Sequence, residues 1–184
     1  MNPLALIRSD IHAKALWLYG SDSLRACIKT CLTDGTFAMF MYRLMQASQH
    51  YHLTPLAMLF NKLNAFFGRC IIGRDAQFGP RMVLIHSYGI VINRAVQAGS
   101  DVHIEHLVTI GAERGQSPIL GDHVFIGAGA KIIGPVRIGD HVKIGANAVV
   151  NRDVPAHATA VGIPARIVNT HTACDPNLQP VNKP

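Results

Sequence analysis

The stretch LGDHVFIGAGA at residues 120–130 returns as IGDHVKIGANA at residues 138–148, a shift of eighteen positions. Around these copies, an aliphatic or aromatic residue recurs every six positions between Ile72 and Val154. The six-residue spacing is interrupted twice, by two extra residues around Gly89–Val91 and by four extra residues within Ala112–Ile119. The recurring residues are Ile72, Phe78, Leu84, Ile92, Ala98, Ile104, Ile110, Leu120, Ile126, Ile132, Ile138, Ile144 and Val150.

This sixfold return predicts a left-handed parallel β-helix. Each group of six residues forms one short strand and one corner, its recurring residue points inward, and three groups close one coil. Glycine often follows the recurring residue, and Gly, Asn, Asp and His at corners adopt turn conformations that β-branched residues resist. An α-helix would need a period of 3.6, and a hairpin sheet would need strict alternation.

The first 70 residues follow a helical period instead. Apolar residues recur at helical spacing over 4–18, 37–45 and 56–67, and Thr54-Pro55 and Gly68 are typical of a helix start and stop. We therefore expect three parts: a helical cap at 1–70 covering the first coil, the β-helix domain at 71–169, and a flexible tail at 170–184.

Composition narrows the class of protein. Hydrophobic residues make up 49% of the 184 residues and charged residues 15%, which is typical of a well-buried globular protein. No apolar stretch reaches the roughly 18 residues that span a bilayer, and residues 1–10 lack the pattern of a secretory leader. We expect a cytoplasmic protein whose four cysteines are reduced.

The net charge of +6 favours anionic partners. A phosphorylated cofactor, a lipid-linked phosphate and peripheral proximity to a membrane all fit this charge. Nucleic acid is disfavoured, because the basic residues are scattered and no aromatic platform accompanies them.

Five motifs resemble those of the hexapeptide-repeat acetyltransferases: HSYGIVIN at 86–93, VTIG at 108–111, VFIGAGAKIIG at 124–134, KIGANAVV at 143–150 and VGIPARIV at 161–168. The similarity is greatest to the serine acetyltransferase branch and its relatives in exopolysaccharide and capsule gene clusters. In the cap, Phe37 and Tyr42-Arg43-Leu44 agree more loosely. The resemblance implies an acetyl-CoA-dependent O-acetyltransferase that works as a homotrimer, with acetyl-CoA in the groove between neighbouring copies.

Acetyl transfer from a thioester to a hydroxyl needs a base for the hydroxyl proton, and histidine suits this task near neutral pH. On the motif match, His86 is the predicted general base. His106 is its rival, since the run 104–106 resembles a catalytic stretch in the sugar N-acetyltransferase branch. His106 lies one coil plus two residues further on, so both should share one side of the prism. Glu105 could orient either imidazole.

The resemblance also assigns the cofactor contacts. Small residues at Ala128, Gly129 and Ala146 would accommodate the pantetheine arm. Lys143 and Arg166 would contact the CoA phosphates, and the oxyanion would meet a backbone N–H near Gly111. All of these residues are named from their match to the family's motifs, and Gly129 because it lies beside Ala128.

No metal is expected. Relatives of this fold that act as carbonic anhydrases bind zinc through three histidines, and His86, His103 and His106 offer that alternative. The HSYGIVIN and GIPARIV motifs, however, belong to the acyltransferase side.

The sequence departs from serine acetyltransferases at three places. Ile85 and Ile71 stand where that branch carries aspartates, and Gln116-Ser117 stand where it carries an Arg-His pair for the serine carboxylate. These departures favour a sugar hydroxyl on a glycan precursor of surface polysaccharide synthesis as the acceptor. Serine O-acetylation in cysteine biosynthesis and a catalytically inactive trimeric scaffold remain the alternatives.

Overall fold

In a computed structural model, residues 2–170 of the chain form a helical region packed on the end of a β-helix. The helices are α1 (Pro3–Tyr19), α2 (Leu24–Cys31), α3 (Thr36–His50) and α4 (Thr54–Phe67). The strands are β1 (Cys70–Ile72), β2 (Gln77–Phe78), β3 (Val83–Leu84), β4 (Ile90–Ile92), β5 (Gln97–Ala98), β6 (His103–Ile104), β7 (Thr109–Gly111), β8 (Ile119–Leu120), β9 (Phe125–Ile126), β10 (Lys131–Ile133), β11 (Arg137–Ile138), β12 (Lys143–Ile144), β13 (Val149–Val150), β14 (Ala158–Val161) and β15 (Arg166–Thr170). Apart from Thr170, the predicted tail lies outside the described residues.

The strands stack into three sheets, and the chain visits the sheets in turn. One sheet has the order β1-β4-β7-β10-β13, the second β2-β5-β8-β11, and the third β3-β6-β9-β12-β14-β15. All neighbours pair in parallel except β14 and β15, which are antiparallel. The result is a parallel β-helix of about 5 turns. The predicted β-helix with an N-terminal helical cap is confirmed.

Strand pairing explains the two interruptions of the six-residue spacing. Ile126 pairs with Ile144, one coil of eighteen positions away. Ile72 pairs with Ile92 and Ile110 with Ile132, so these coils are longer by the two and four inserted residues. Each insertion lies at a corner or in a loop, where it leaves the inward-facing column in register.

The recurring residues form that column. They are all buried except Ala98, which is partly buried against it. Neighbouring coils approach closely at the corners: a Cβ on Gly127 would lie 2.7 Å from the backbone nitrogen of Ala146. The glycine after the recurring residue therefore makes room for the next coil.

The cap docks on the first coil through Tyr42 and Arg43 of α3. The Tyr42 hydroxyl donates to the carbonyl of Ala76 (2.9 Å) and accepts from the N–H of Phe78 (3.0 Å). Arg43 is buried, donates to the Phe78 carbonyl (2.8 Å) and forms a two-pronged ion pair with Asp10 of α1 (2.7 and 3.1 Å). One guanidinium thus joins two helices to the β-helix.

Two further expectations concern the membrane and the cysteines. Among residues 2–170, no helix has both the length and the apolar character needed to cross a bilayer. Cys27, Cys31 and Cys70 are free thiols, whereas Cys174 lies outside the described residues.

Candidate active site

One corner of the β-helix brings together several of the predicted site residues. Leu84 pairs with Ile104, Ile104 with Ile126, and Ile126 with Ile144. Two positions beyond each of these four residues, the chain turns the same corner in consecutive coils. The residues at these equivalent positions are His86, His106, Ala128 and Ala146.

We call this edge, residues 86–88, 105–107, 127–129 and 145–147, the histidine corner. Backbone hydrogen bonds tie its coils together, for example from Leu107 to Tyr88 (2.9 Å) and from Gly129 to His106 (2.9 Å). The ring centroids of His86 and His106 lie 6.1 Å apart. The prediction that the two imidazoles share one side of the prism is confirmed.

His86 opens on a cleft between the cap and the first coil. The cleft has a volume of roughly 350 Å³. Its walls come from the α2–α3 loop, the end of α4 and the histidine corner, and they include Asp34, Phe37, Phe67, Arg69, His86 and Tyr88. The His86 side chain is 53% exposed, so a substrate in the cleft can reach the imidazole.

Each imidazole of the corner faces its own carboxylate. His86 Nδ1 lies 3.5 Å from Asp34 Oδ2, and His106 Nδ1 lies 3.6 Å from Glu105 Oε2. Glu105 is therefore the neighbour of His106 rather than of His86. In both pairs Nδ1 faces the carboxylate, which leaves Nε2 available to a ligand.

Asp34 is the residue that sequence reasoning missed. It belongs to a break between two helices, 52 positions before His86, and no motif or spacing pointed to it. Ile85 and Ile71, which stand where serine acetyltransferases carry aspartates, cannot orient His86. Ile85 is buried with Ala13 and Val83, and Ile71 is a half-exposed residue of β1.

Lys14 of α1 fixes the loop that carries Asp34. Its buried ammonium donates to the carbonyl of Asp34 and to that of Leu84 (2.8 Å), two residues before His86. Gly35 has a positive φ of 78°, and a Cβ there would collide with the Leu84 carbonyl oxygen. Burial lowers the pKa of Lys14 to about 8, and the nearby Asp34 opposes that shift.

This lowered pKa predicts how stability depends on pH. Between pH 8 and 10.5 the unfolded chain binds the Lys14 proton and the folded chain has lost it, so the free energy of unfolding rises with pH in this window. The full gain is about 3 kcal/mol. Denaturant titrations of wild type and Lys14→Met should diverge across this window, whereas Lys62→Met, at an exposed lysine, should follow wild type. Parallel curves for wild type and Lys14→Met would contradict this account.

The other predicted cofactor residues lie at different distances from the corner. Gly129 belongs to it. Lys143 is exposed on β12, three positions before Ala146, and Arg166 is exposed on β15. Gly111 ends β7, five positions beyond His106. The roles of all these residues stay predictions.

The loop that matches the carboxylate-binding loop of serine acetyltransferases, and that is expected to have lost this role, is closed by hydrogen bonds between its own residues. Glu113 and Gln116 exchange backbone hydrogen bonds of 2.9 Å, and the Ser117 hydroxyl donates to the side-chain oxygen of Asn93 (2.9 Å). Arg114 is exposed on this loop.

His103, His123 and His141 lie outside the histidine corner and pack against neighbouring rings. His103 packs edge-on to Trp17, with ring centroids 4.8 Å apart, and its burial lowers its pKa while Asp101 opposes the shift. His123 and His141 stack at exposed turns, 4.6 Å apart. Across residues 2–170, no group of three or more His, Cys, Asp or Glu side chains is placed to hold a metal ion.

Known proteins resemble this chain in sequence and in fold. Residues 117–152 match the family description "Bacterial transferase hexapeptide (six repeats)". Serine acetyltransferase of Mycobacterium tuberculosis is 38% identical over 142 residues, which cover 73% of this chain and 60% of the relative. Serine acetyltransferase of Helicobacter pylori (strain J99) is 37% identical over 141 residues, which cover 74% of this chain and 82% of the relative.

A solved structure of a serine acetyltransferase in complex with CoA has a TM-score of 0.80 and 31% identity, and the match covers 91% of this chain and 71% of that one. The chain spans only 60% and 54% of the two curated relatives from Mycobacterium tuberculosis and Staphylococcus xylosus. The chain belongs to the hexapeptide-repeat transferases, among the relatives named serine acetyltransferases.

Proposed function

We propose that the chain is a cytoplasmic acetyl-CoA-dependent O-acetyltransferase that uses His86 as its general base. The observation that carries this proposal is the exposed imidazole of His86, which opens on a cleft and has a carboxylate at Nδ1. That arrangement orients a histidine for proton transfer through Nε2. Similarity to a CoA-bound serine acetyltransferase supports acetyl-CoA as the donor.

The reaction needs no covalent enzyme intermediate. Nε2 of His86 accepts the proton of the acceptor hydroxyl while its oxygen attacks the thioester carbonyl. The tetrahedral intermediate collapses, the carbon–sulfur bond breaks, and the departing CoA thiolate takes the proton back from Nε2. Backbone N–H groups would stabilise the oxyanion, and Gly111 is the residue that the motif match assigns to this contact.

The histidine corner would also hold the cofactor. Ala128 and Ala146 continue the line of His86 and His106 along two further coils, and their small side chains leave the edge open for a pantetheine arm. We propose that a homotrimer completes this groove. Exposed apolar side chains beside the corner, at Ile71, Val91 and Leu107, would be covered by a neighbouring copy.

L-serine is the acceptor we propose, in cysteine biosynthesis. The relatives' names point to serine, and the cleft offers a cation for its carboxylate. Arg69 lines the same cleft as His86, and its guanidinium lies 5.7 Å from the Tyr88 ring centroid. It would take over the carboxylate contact that Gln116-Ser117 do not provide.

Release of CoA thiol from acetyl-CoA tests this proposal, with L-serine compared against sugar acceptors. Arg69→Met should raise KM for L-serine about 10-fold or more, because a hydrogen bond to a charged group contributes about 1.5–3 kcal/mol, and it should leave kcat nearly unchanged. Arg114→Met, at the exposed loop, is the matched control. Equal KM values in both variants would remove Arg69 from the acceptor site.

A sugar hydroxyl on a glycan precursor of surface polysaccharide is the second candidate acceptor. The 113–117 loop favours it, because Glu113 and Gln116 bond to each other through their backbones and the Ser117 hydroxyl is bonded to Asn93. Turnover with a glycan acceptor and none with L-serine would establish this candidate. Turnover with neither would favour a non-catalytic scaffold.

A further inference from the structure

We infer that Asp34 is the positioning residue for His86: its carboxylate accepts the Nδ1–H of His86 and thereby holds Nε2 unprotonated, facing the cleft. The inference rests on the proposed function, because it concerns how the proposed base is kept ready. It assigns the task to the helical cap, far from His86 in sequence.

The cap places Asp34 with two anchors. The Lys14 ammonium ties the Asp34 carbonyl to the Leu84 carbonyl. At Gly35 the loop passes so close to Leu84 that no Cβ fits. The backbone of Asp34 is thus fixed against the strand that leads into His86. Its side chain, 83% exposed, remains free to turn towards the imidazole.

No other acidic group competes for this position among residues 2–170. Ile85 is buried and Ile71 belongs to β1, so the two positions at which serine acetyltransferases carry aspartates hold apolar side chains in this chain. Glu105, the acidic residue of the next coil, lies 3.6 Å from His106 Nδ1. The ion pairs of these residues give His86 a single carboxylate partner, Asp34.

The separation of 3.5 Å between Nδ1 and Oδ2 is longer than a hydrogen bond of about 2.9 Å. Catalytic pairs are often loose without substrate and tighten when the substrate binds. A ligand in the cleft that Asp34 and His86 both line would exclude water from the pair, which strengthens the interaction.

Asp34→Ala tests the inference in the full-length protein. We expect kcat to fall about 10- to 100-fold, less than the roughly 100- to 10,000-fold that general base catalysis itself contributes because the imidazole remains, with KM for acetyl-CoA and acceptor changed less than about twofold. Asp34→Glu should recover part of the loss. Asp22→Ala removes another exposed aspartate that faces a histidine (3.4 Å from His12) and should leave kcat unchanged.

A second readout does not depend on turnover. The side-chain ¹⁵N chemical shifts of His86, measured where the imidazole is neutral, should show a proton on Nδ1 in wild type and a shift towards the Nε2–H tautomer in Asp34→Ala. Asp22→Ala should leave these shifts alone.

Two results would overturn the inference. One is an unchanged His86 tautomer in Asp34→Ala, whatever happens to activity. The other is a raised KM for the acceptor with an unchanged kcat, since that would make Asp34 a substrate-binding group. If wild type acetylates no acceptor, the proposed function fails, and the tautomer measurement still decides whether Asp34 orients His86.

Discussion

Replacing His86 with alanine is expected to lower kcat for acetyl transfer about 100- to 10,000-fold, which is the range that general base catalysis contributes. The acceptor hydroxyl would then have to lose its proton to water while it attacks the thioester. The side chain is half exposed at a corner, so its removal leaves no cavity in the core, and the fold should persist. Steady-state release of CoA thiol measures the loss, and circular dichroism checks the fold.

Two further histidine variants complete this test, one as a control and one at the alternative general base. His50→Ala removes an exposed imidazole at the end of α3 and should retain wild-type activity. His106→Ala should lower kcat less than His86→Ala, because Asp34 and the cleft lie beside His86 whereas His106 faces Glu105. A larger loss from His106→Ala, or full activity in His86→Ala, would transfer the role of base away from His86.

Replacing Arg43 with methionine is expected to lower the free energy of unfolding by about 3–5 kcal/mol. The change leaves the Asp10 carboxylate buried without its counter-charge, and it removes the donor to the Phe78 carbonyl. The free energy of unfolding of a protein is typically about 5–15 kcal/mol, so this single change removes a large part of it. Because α1 also carries Lys14, loosening the cap should disturb the His86 cleft as well. Denaturant unfolding measures the first effect.

Arg94→Met is the matched control for Arg43→Met. Arg94 also pairs with an aspartate, Asp75, but its side chain is 65% exposed. Exposed ion pairs contribute only about 0–1 kcal/mol, so the expected loss is small. Similar losses in the two variants would show that burial of the Arg43–Asp10 pair does not set its contribution.

The β-helix could be predicted from sequence because its core is periodic. One inward residue per six positions specifies strand, corner and coil together. Even the two insertions could be predicted, because each interrupts the six-residue spacing. The same periodicity placed His86 and His106 on one side of the prism, since a distance in sequence converts directly into a position on the coil.

The contacts between the cap and the β-helix could not be predicted in this way. Asp34, Lys14 and the Arg43–Asp10 pair depend on how helices dock on the first coil, and no period connects residues 10–43 with residues 76–86. The buried Lys14 and Asp10 even contradict the expectation that charged residues lie at the surface. These two residues can be recognised only in the folded structure, where each is a buried charge whose partners come from distant parts of the chain.

A structure of the protein with CoA bound tests the central claim most directly. We predict that the pantetheine arm runs along the histidine corner past Ala146 and Ala128 and that the sulfur comes to rest beside the imidazole of His86, in the cleft that Asp34 and Arg69 line. CoA bound on another edge of the β-helix, with its sulfur remote from both His86 and His106, would contradict this account.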